Sequence, residues 1–107
     1  MIDLPVACTL TEPERRLRRE QLLPRVIARV EERRALDDGV ALRFATDDVI
    51  LVDLMEMIRV ERQCCAFLRF RLTVEPGGQP VWLELTGPPG TKEFLESMLG
   101  GQEEDVT

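Results

Sequence analysis

Three cysteines, at positions 8, 64 and 65, and the glutamate at position 61 are the residues of this 107-residue chain best suited to chemistry. Thiolates are soft ligands and suit thiophilic ions such as copper(I), zinc, mercury(II) or arsenic(III). They are also the nucleophiles of redox and sulfur-transfer chemistry. Two absences narrow the field, since the chain has no histidine and no tyrosine. Imidazole acid–base catalysis, Ser-His-Asp and Cys-His nucleophiles and His-ligated metals are excluded.

Helix geometry brings Glu61, Cys64 and Cys65 together. With about 100° per residue and Asp53 at the origin, Cys64 lies near ~20°, Met57 near ~40° and Glu61 near ~80°. Leu54 follows near ~100°, Cys65 near ~120° and Ile58 near ~140°. Asp53, Glu56, Arg59, Arg62 and Gln63 occupy the remaining arc, flanked by Met55 and Val60. Glu61 thus stands in the middle of an apolar stripe, where a carboxylate must be paired, coordinated or protonated. Spacings of three and four place both sulfurs within a turn of it. Adjacent helical cysteines diverge by about 100°, so sharing one ion requires the distortion that a last helical turn supplies. Cys8 is the natural third ligand: it ends a strand just before a helix start, where the positive helix end favours a thiolate. The plainer alternative is that buried cysteines pack as small hydrophobes. On that reading Glu61 pairs with an arginine of the next strand, Arg69 or Arg71.

The composition is that of a globular domain, 44% hydrophobic and 32% charged. Net charge is −6, which argues against a nucleic-acid partner because phosphate binding needs a basic face. Arg15, Arg16, Arg18 and Arg19 stand among Glu12, Glu14 and Glu20, the pattern of a solvated helix face. Lys92 is the only lysine among 14 basic residues. No apolar run approaches the roughly 18 residues of a membrane span, and the first residues do not read as a secretory signal. The expectation is a cytoplasmic protein whose cysteines, odd in number, are thiols rather than a disulfide framework.

The positioning elements read in the order β-α-β-α-β-β-α. Val6 to Leu10 reads as a short strand, and Thr11-Glu12-Pro13-Glu14 as a capping box opening a helix. That helix is expected to reach about Arg34, with Leu22, Leu23, Val26, Ile27 and Val30 on its core side and Pro24 bending it. Asp37-Asp38-Gly39 makes a turn, Val40 to Ala45 a strand, and Thr46-Asp47-Asp48 the cap of a helix running to about Ala66. Two strands flank Pro76-Gly77-Gly78, Phe70 to Val74 and Val81 to Leu85. The loop Gly87-Pro88-Pro89-Gly90 precedes a short helix carrying Phe94, Leu95, Met98 and Leu99. The fold class is α+β: a two-layer sandwich with a small mixed sheet, two long helices and one short C-terminal helix. Residues 1–99 form one domain, and 100–107 a disordered acidic tail. Trp82 faces away from Val81, Leu83 and Leu85, onto the open sheet face, as snorkelling surface or as a homodimer contact.

Ala7-Cys8-Thr9-Leu10-Thr11, Glu61-Arg62-Gln63-Cys64-Cys65-Ala66-Phe67-Leu68-Arg69-Phe70 and Trp82-Leu83-Glu84-Leu85-Thr86-Gly87-Pro88 together resemble a small family of uncharacterised bacterial proteins. The resemblance spans nearly the whole chain, is most specific at the Cys-Cys motif, and implies weight on the three cysteines and Glu61. By topology alone the chain resembles sulfur carriers of the TusA/SirA type, which carry a reactive cysteine in Cys-Pro-x-Pro at the first helix. Cys8-Thr9-Leu10-Thr11 matches that location and lacks both prolines.

The leading reading is a thiol protein binding a soft metal or metalloid through Cys64, Cys65, Cys8 and Glu61, as buffer, sensor or detoxification accessory. Its partner is then a small ion or thiol-reactive ligand, with no nucleic acid and no membrane. The alternatives are a redox or sulfur-transfer protein with Cys8 or Cys64 as nucleophile, and a structural or dimerisation domain with inert cysteines.

Overall fold

A computed structural model describes residues 13–99 of the chain. The expected strand at residues 6–10, the Thr11 cap, Cys8 and the acidic tail lie outside the described residues. Within them the order is helix α1 (Pro13–Ile27), strands β1 (Val30–Leu36) and β2 (Gly39–Phe44), helix α2 (Asp48–Cys64), strands β3 (Arg69–Thr73) and β4 (Val81–Thr86), and helix α3 (Thr91–Met98). The fold is α+β, with helices on one face of a four-stranded sheet in the order β1-β2-β4-β3. Among the described residues all three strand pairings are antiparallel, where a mixed sheet was expected.

The largest departure is at residues 30–36, expected as the end of the first helix and found as a strand. Val30-Glu31-Glu32-Arg33-Arg34 sets one acidic pair before one basic pair, an i,i+3 spacing that mimics a helix. A register shift between Val30 and Glu32 also disrupts the alternation that would have marked a strand. The segment folds back through the Asp37-Asp38 turn and lays Arg33 opposite Leu42 and Ala35 opposite Val40.

Alternation on the inner strands makes the core. Leu42 pairs with Leu83, Val40 with Leu85 and Phe44 with Val81, and all six are buried. Leu22 and Val26 of α1, Ile50, Leu54 and Met57 of α2, and Leu95 of α3 close over them. Each large apolar side chain buried in this way contributes roughly 2 kcal/mol. Asp47 fixes the start of α2: its backbone is extended, and its carboxylate accepts from the Ile50 N–H at 2.7 Å. No helix among the described residues is long and apolar enough to cross a membrane.

The opposite sheet face is charged. Arg43 pairs with Glu32 at 3.0 Å and Arg71 with Glu84 at 3.7 Å. Arg34 donates to Glu32 and lays its guanidinium 4.6 Å from the centre of the Trp82 ring. Trp82 is therefore half-buried beneath an arginine.

Gly39 opens β2 against the backbone of β4. A Cβ placed there would lie 1.8 Å from the Leu85 carbonyl oxygen, a main-chain atom that cannot swing away. Gly39→Ala is expected to lower unfolding free energy by at least about 2 kcal/mol in urea denaturation, as overpacking does. An unchanged midpoint would contradict this register.

Candidate thiol site

α2 ends at Cys64, and Cys65 is its C-cap, with φ −118° and ψ 74°. The Cys65 N–H still reaches the Glu61 carbonyl at 2.6 Å, but the chain then leaves the helix axis. This is the terminal distortion that adjacent cysteines need. The Leu68 N–H donates to the Cys65 carbonyl at 3.0 Å and turns the chain toward β3. The result is a cluster of Glu61, Cys64 and Cys65, all buried, with one carboxylate oxygen and two sulfurs within 4.8 Å of one another. Phe67 covers the cysteines, and its ring meets Phe94 of α3 edge-on at 5.2 Å. The cluster is thus closed where the chain leaving α2 packs against α3.

The two sulfurs differ. Cys64 is disulfide-bonded, whereas Cys65 holds a free thiol. The expectation that every cysteine is a thiol is corrected for Cys64: an ion can use its sulfur only after that bond is reduced. Cys8, the expected third ligand, lies outside the described residues.

Glu61 does pair with an arginine, but with neither Arg69 nor Arg71. Nε of Arg19, on α1, donates to its Oε2 at 2.7 Å. Nη2 of the same guanidinium lies 3.0 Å from Sδ of Met98 on α3, so one arginine ties three helices together. The other carboxylate oxygen, Oε1, accepts from the Cys65 thiol at 3.7 Å. Burial pushes the Glu61 carboxyl above the ordinary range, opposed by the charge and hydrogen bond of Arg19 and by the thiol. Burial, reinforced by the negative charge of Glu61, pushes the Cys65 thiol up to about 12. Cys65 is therefore a protonated thiol at neutral pH.

Arg19 belongs to a row. Arg18 meets Glu56 at 3.1 Å, Arg25 grips Asp53 with two hydrogen bonds of 2.9 and 3.1 Å, and Arg29 meets Asp47. These contacts run in opposite directions along α1 and α2 and clamp them antiparallel. Arg19 is thus not the solvated surface that its acidic neighbours implied, whereas the Arg18 side chain stays 43% exposed. Asp53, expected on the outer arc, is buried for the same reason: α1 covers that side of α2. An open groove of about 500 Å³, lined by Arg19, Leu23, Ile27 and Met98, leads solvent to the guanidinium. No protein-family model, curated protein or solved structure matches the chain.

The pair is asymmetric, with the Glu61 side chain at 3% exposure and Arg19 at 21%. Arg19→Met strands a buried carboxylate and should reduce stability by about 3 kcal/mol at neutral pH. Without its cation Glu61 titrates higher still, so the folded variant binds more protons than the unfolded chain. Its deficit relative to the native chain should shrink as pH falls. Urea midpoints of both proteins across the acid range check this, and a deficit independent of pH would contradict it. A separate expectation concerns Cys65. Iodoacetamide should alkylate it far more slowly than free cysteine at neutral pH and accelerate through the alkaline range without a plateau. Alkylation at the rate of a free thiol would mean that the site is not closed.

Proposed function

We propose that the protein binds a soft metal ion or metalloid through the thiolates of Cys64 and Cys65. The observation that carries this is the convergence of two sulfurs and a carboxylate within 4.8 Å of one another, on three buried residues. That span is about twice a metal–thiolate bond of about 2.3 Å, so one ion reaches both sulfurs with little movement of the chain. A thiophilic ion also resolves the chemistry of Cys65. A thiol held up to about 12 resists losing its proton to water, but a soft cation displaces that proton directly. Glu61 Oε1, already 3.7 Å from that sulfur, is placed to receive it or to add a third contact.

The reading extends to a buffer, sensor or detoxification accessory in a reducing cytoplasm, where the Cys64 disulfide is opened. Copper(I), zinc, mercury(II) and arsenic(III) are the ions of the right softness. Zinc is the poorest fit, because it prefers four ligands and the cluster offers three donors among the described residues. Homodimerisation through Trp82 is a separate proposal, which an equilibrium sedimentation run on the native chain and Trp82→Ala would decide.

One observation favours a redox reading as the second. A disulfide at Cys64 beside a free thiol at Cys65 is a starting point for thiol–disulfide exchange. In that step Cys65 sulfur bonds to Cys64 sulfur, and the sulfur formerly bonded to Cys64 leaves and takes the proton from Cys65. The high pKa of Cys65 makes it a slow nucleophile at neutral pH, which ranks this reading below ion binding.

The test uses the full chain, reduced and kept anaerobic. One equivalent of cadmium(II), mercury(II) or copper(I) should raise its Tm through linkage and release protons, so that affinity weakens as pH falls. Cys64→Ser and Cys65→Ser should each abolish the rise. Absence of any rise with all three ions would leave the cysteines as packing residues.

A further inference from the structure

The face of α2 turned away from the sulfurs carries an apolar stripe. Three of the five exposed large apolar side chains among the described residues stand on this one helix: Val49 at 61%, Val52 at 67% and Met55 at 58% exposure. Leu51 and Ile58, both half-buried, flank Val52 and Met55. An open groove of about 650 Å³ is lined by these four residues and by Arg59 and Arg62. Single exposed apolar side chains need no explanation, but a contiguous patch with a polar border marks an interaction surface.

The spacing along the stripe says what fits it. Asp48, Val52, Met55, Arg59 and Arg62, all exposed, are separated by four, three, four and three residues. That is the seam along which one helix packs lengthwise on another. Met55 is its midpoint, seven residues after Asp48 and seven before Arg62. The seam is therefore acidic at one end, apolar in the middle and basic at the other end. Laid antiparallel on a second copy of itself across Met55, it brings each Asp48 to the Arg62 of the other chain. Val52 then faces Ile58 across the seam, and Leu51 faces Arg59. Glu56 of the same helix already holds the Arg59 head at 2.7 Å, so the apolar stem of Arg59 packs while its charge stays satisfied.

We propose that this face of α2 is the interface of a two-fold antiparallel homodimer centred on Met55. A second copy is the occupant because the stripe is complementary to itself, in charge as well as in apolar pattern. An isologous contact of this kind closes at two chains. Glu61, Cys64 and Cys65 lie on the buried side of α2, so the interface leaves them covered by their own chain. The dimer is independent of ion binding and does not use Trp82.

The experiment is sedimentation equilibrium of the full chain, kept reduced so that no disulfide joins two chains. Low ionic strength leaves the exposed ion pairs least screened. The native chain should dimerise with a Kd of roughly micromolar order, as a small interface does. Met55→Glu sets two carboxylates against each other on the two-fold axis and should give a monomer. Asp48→Arg and Arg62→Asp should each weaken the homodimer at least about tenfold, because like charges then meet at both ends. Mixed together, these two variants should form a heterodimer of near-native affinity, since one supplies two basic ends and the other two acidic ends. Trp82→Ala should dimerise as the native chain does. All of the α2 positions substituted are exposed, and circular dichroism checks that each variant keeps its helices. A native chain that stays monomeric overturns the proposal, as does a dimer that survives Met55→Glu or is lost in Trp82→Ala. A dimer indifferent to both charge reversals, or one lost in both and not recovered on mixing, overturns the antiparallel pairing and with it the proposal.

Discussion

A carboxylate buried to 2% exposure cannot be left alone, and much of this protein is arranged around that requirement at Glu61. The compensating cation is Arg19, and it reaches Glu61 only if α1 lies along α2 with a fixed rotation and offset. Three further arginines hold that offset, on Glu56, Asp53 and Asp47. The apolar residues Leu22 and Val26, on the same helix, insert into the core over the sheet. The ion pair and the packing therefore specify one docking of α1. An apolar isostere at position 61 would satisfy the packing alone. It would not place a carboxylate oxygen 3.7 Å from the Cys65 sulfur.

The same constraint explains the contrast between the two helix termini of α2. Its start is solvent-facing and capped by Asp47, with Arg29 on the same carboxylate. Its end is buried among Phe67, Leu68 and Phe94 and carries the two sulfurs. The two sulfurs thus sit at the end that the fold closes. Net charge, helix docking and sulfur chemistry meet in one residue pair.

The sequence carried the second half of the fold clearly. Alternation in Val81, Leu83 and Leu85, the turn at Pro76-Gly77-Gly78 and the Asp47 cap all lie where their patterns put them. The stripe that contains Glu61, Cys64 and Cys65 was legible because helical spacing is fixed by geometry. Asp53 was misplaced because a single helix cannot show which of its flanks a neighbour will cover. Arg19 was hidden by the acidic residues around it in the chain. A signal was present: Arg19 precedes Leu22 by three and Val26 by seven, which puts it on the apolar side of α1. β1 was missed because its charges follow helical spacing and its bulge breaks strand alternation. The state of Cys64 depends on where the chain brings its sulfur, and spacing alone does not encode that.

The central claim is that one soft ion bonds to both Cys64 and Cys65 while Arg19 keeps Glu61. X-ray absorption at the metal edge of the reduced chain loaded with one equivalent of mercury(II) tests it most directly. The account predicts a first shell of two sulfurs at about 2.3 Å. It also predicts the same shell in a double variant, Glu61→Gln with Arg19→Met, that removes both charges. A first shell of oxygen or nitrogen, or a single sulfur, would contradict it.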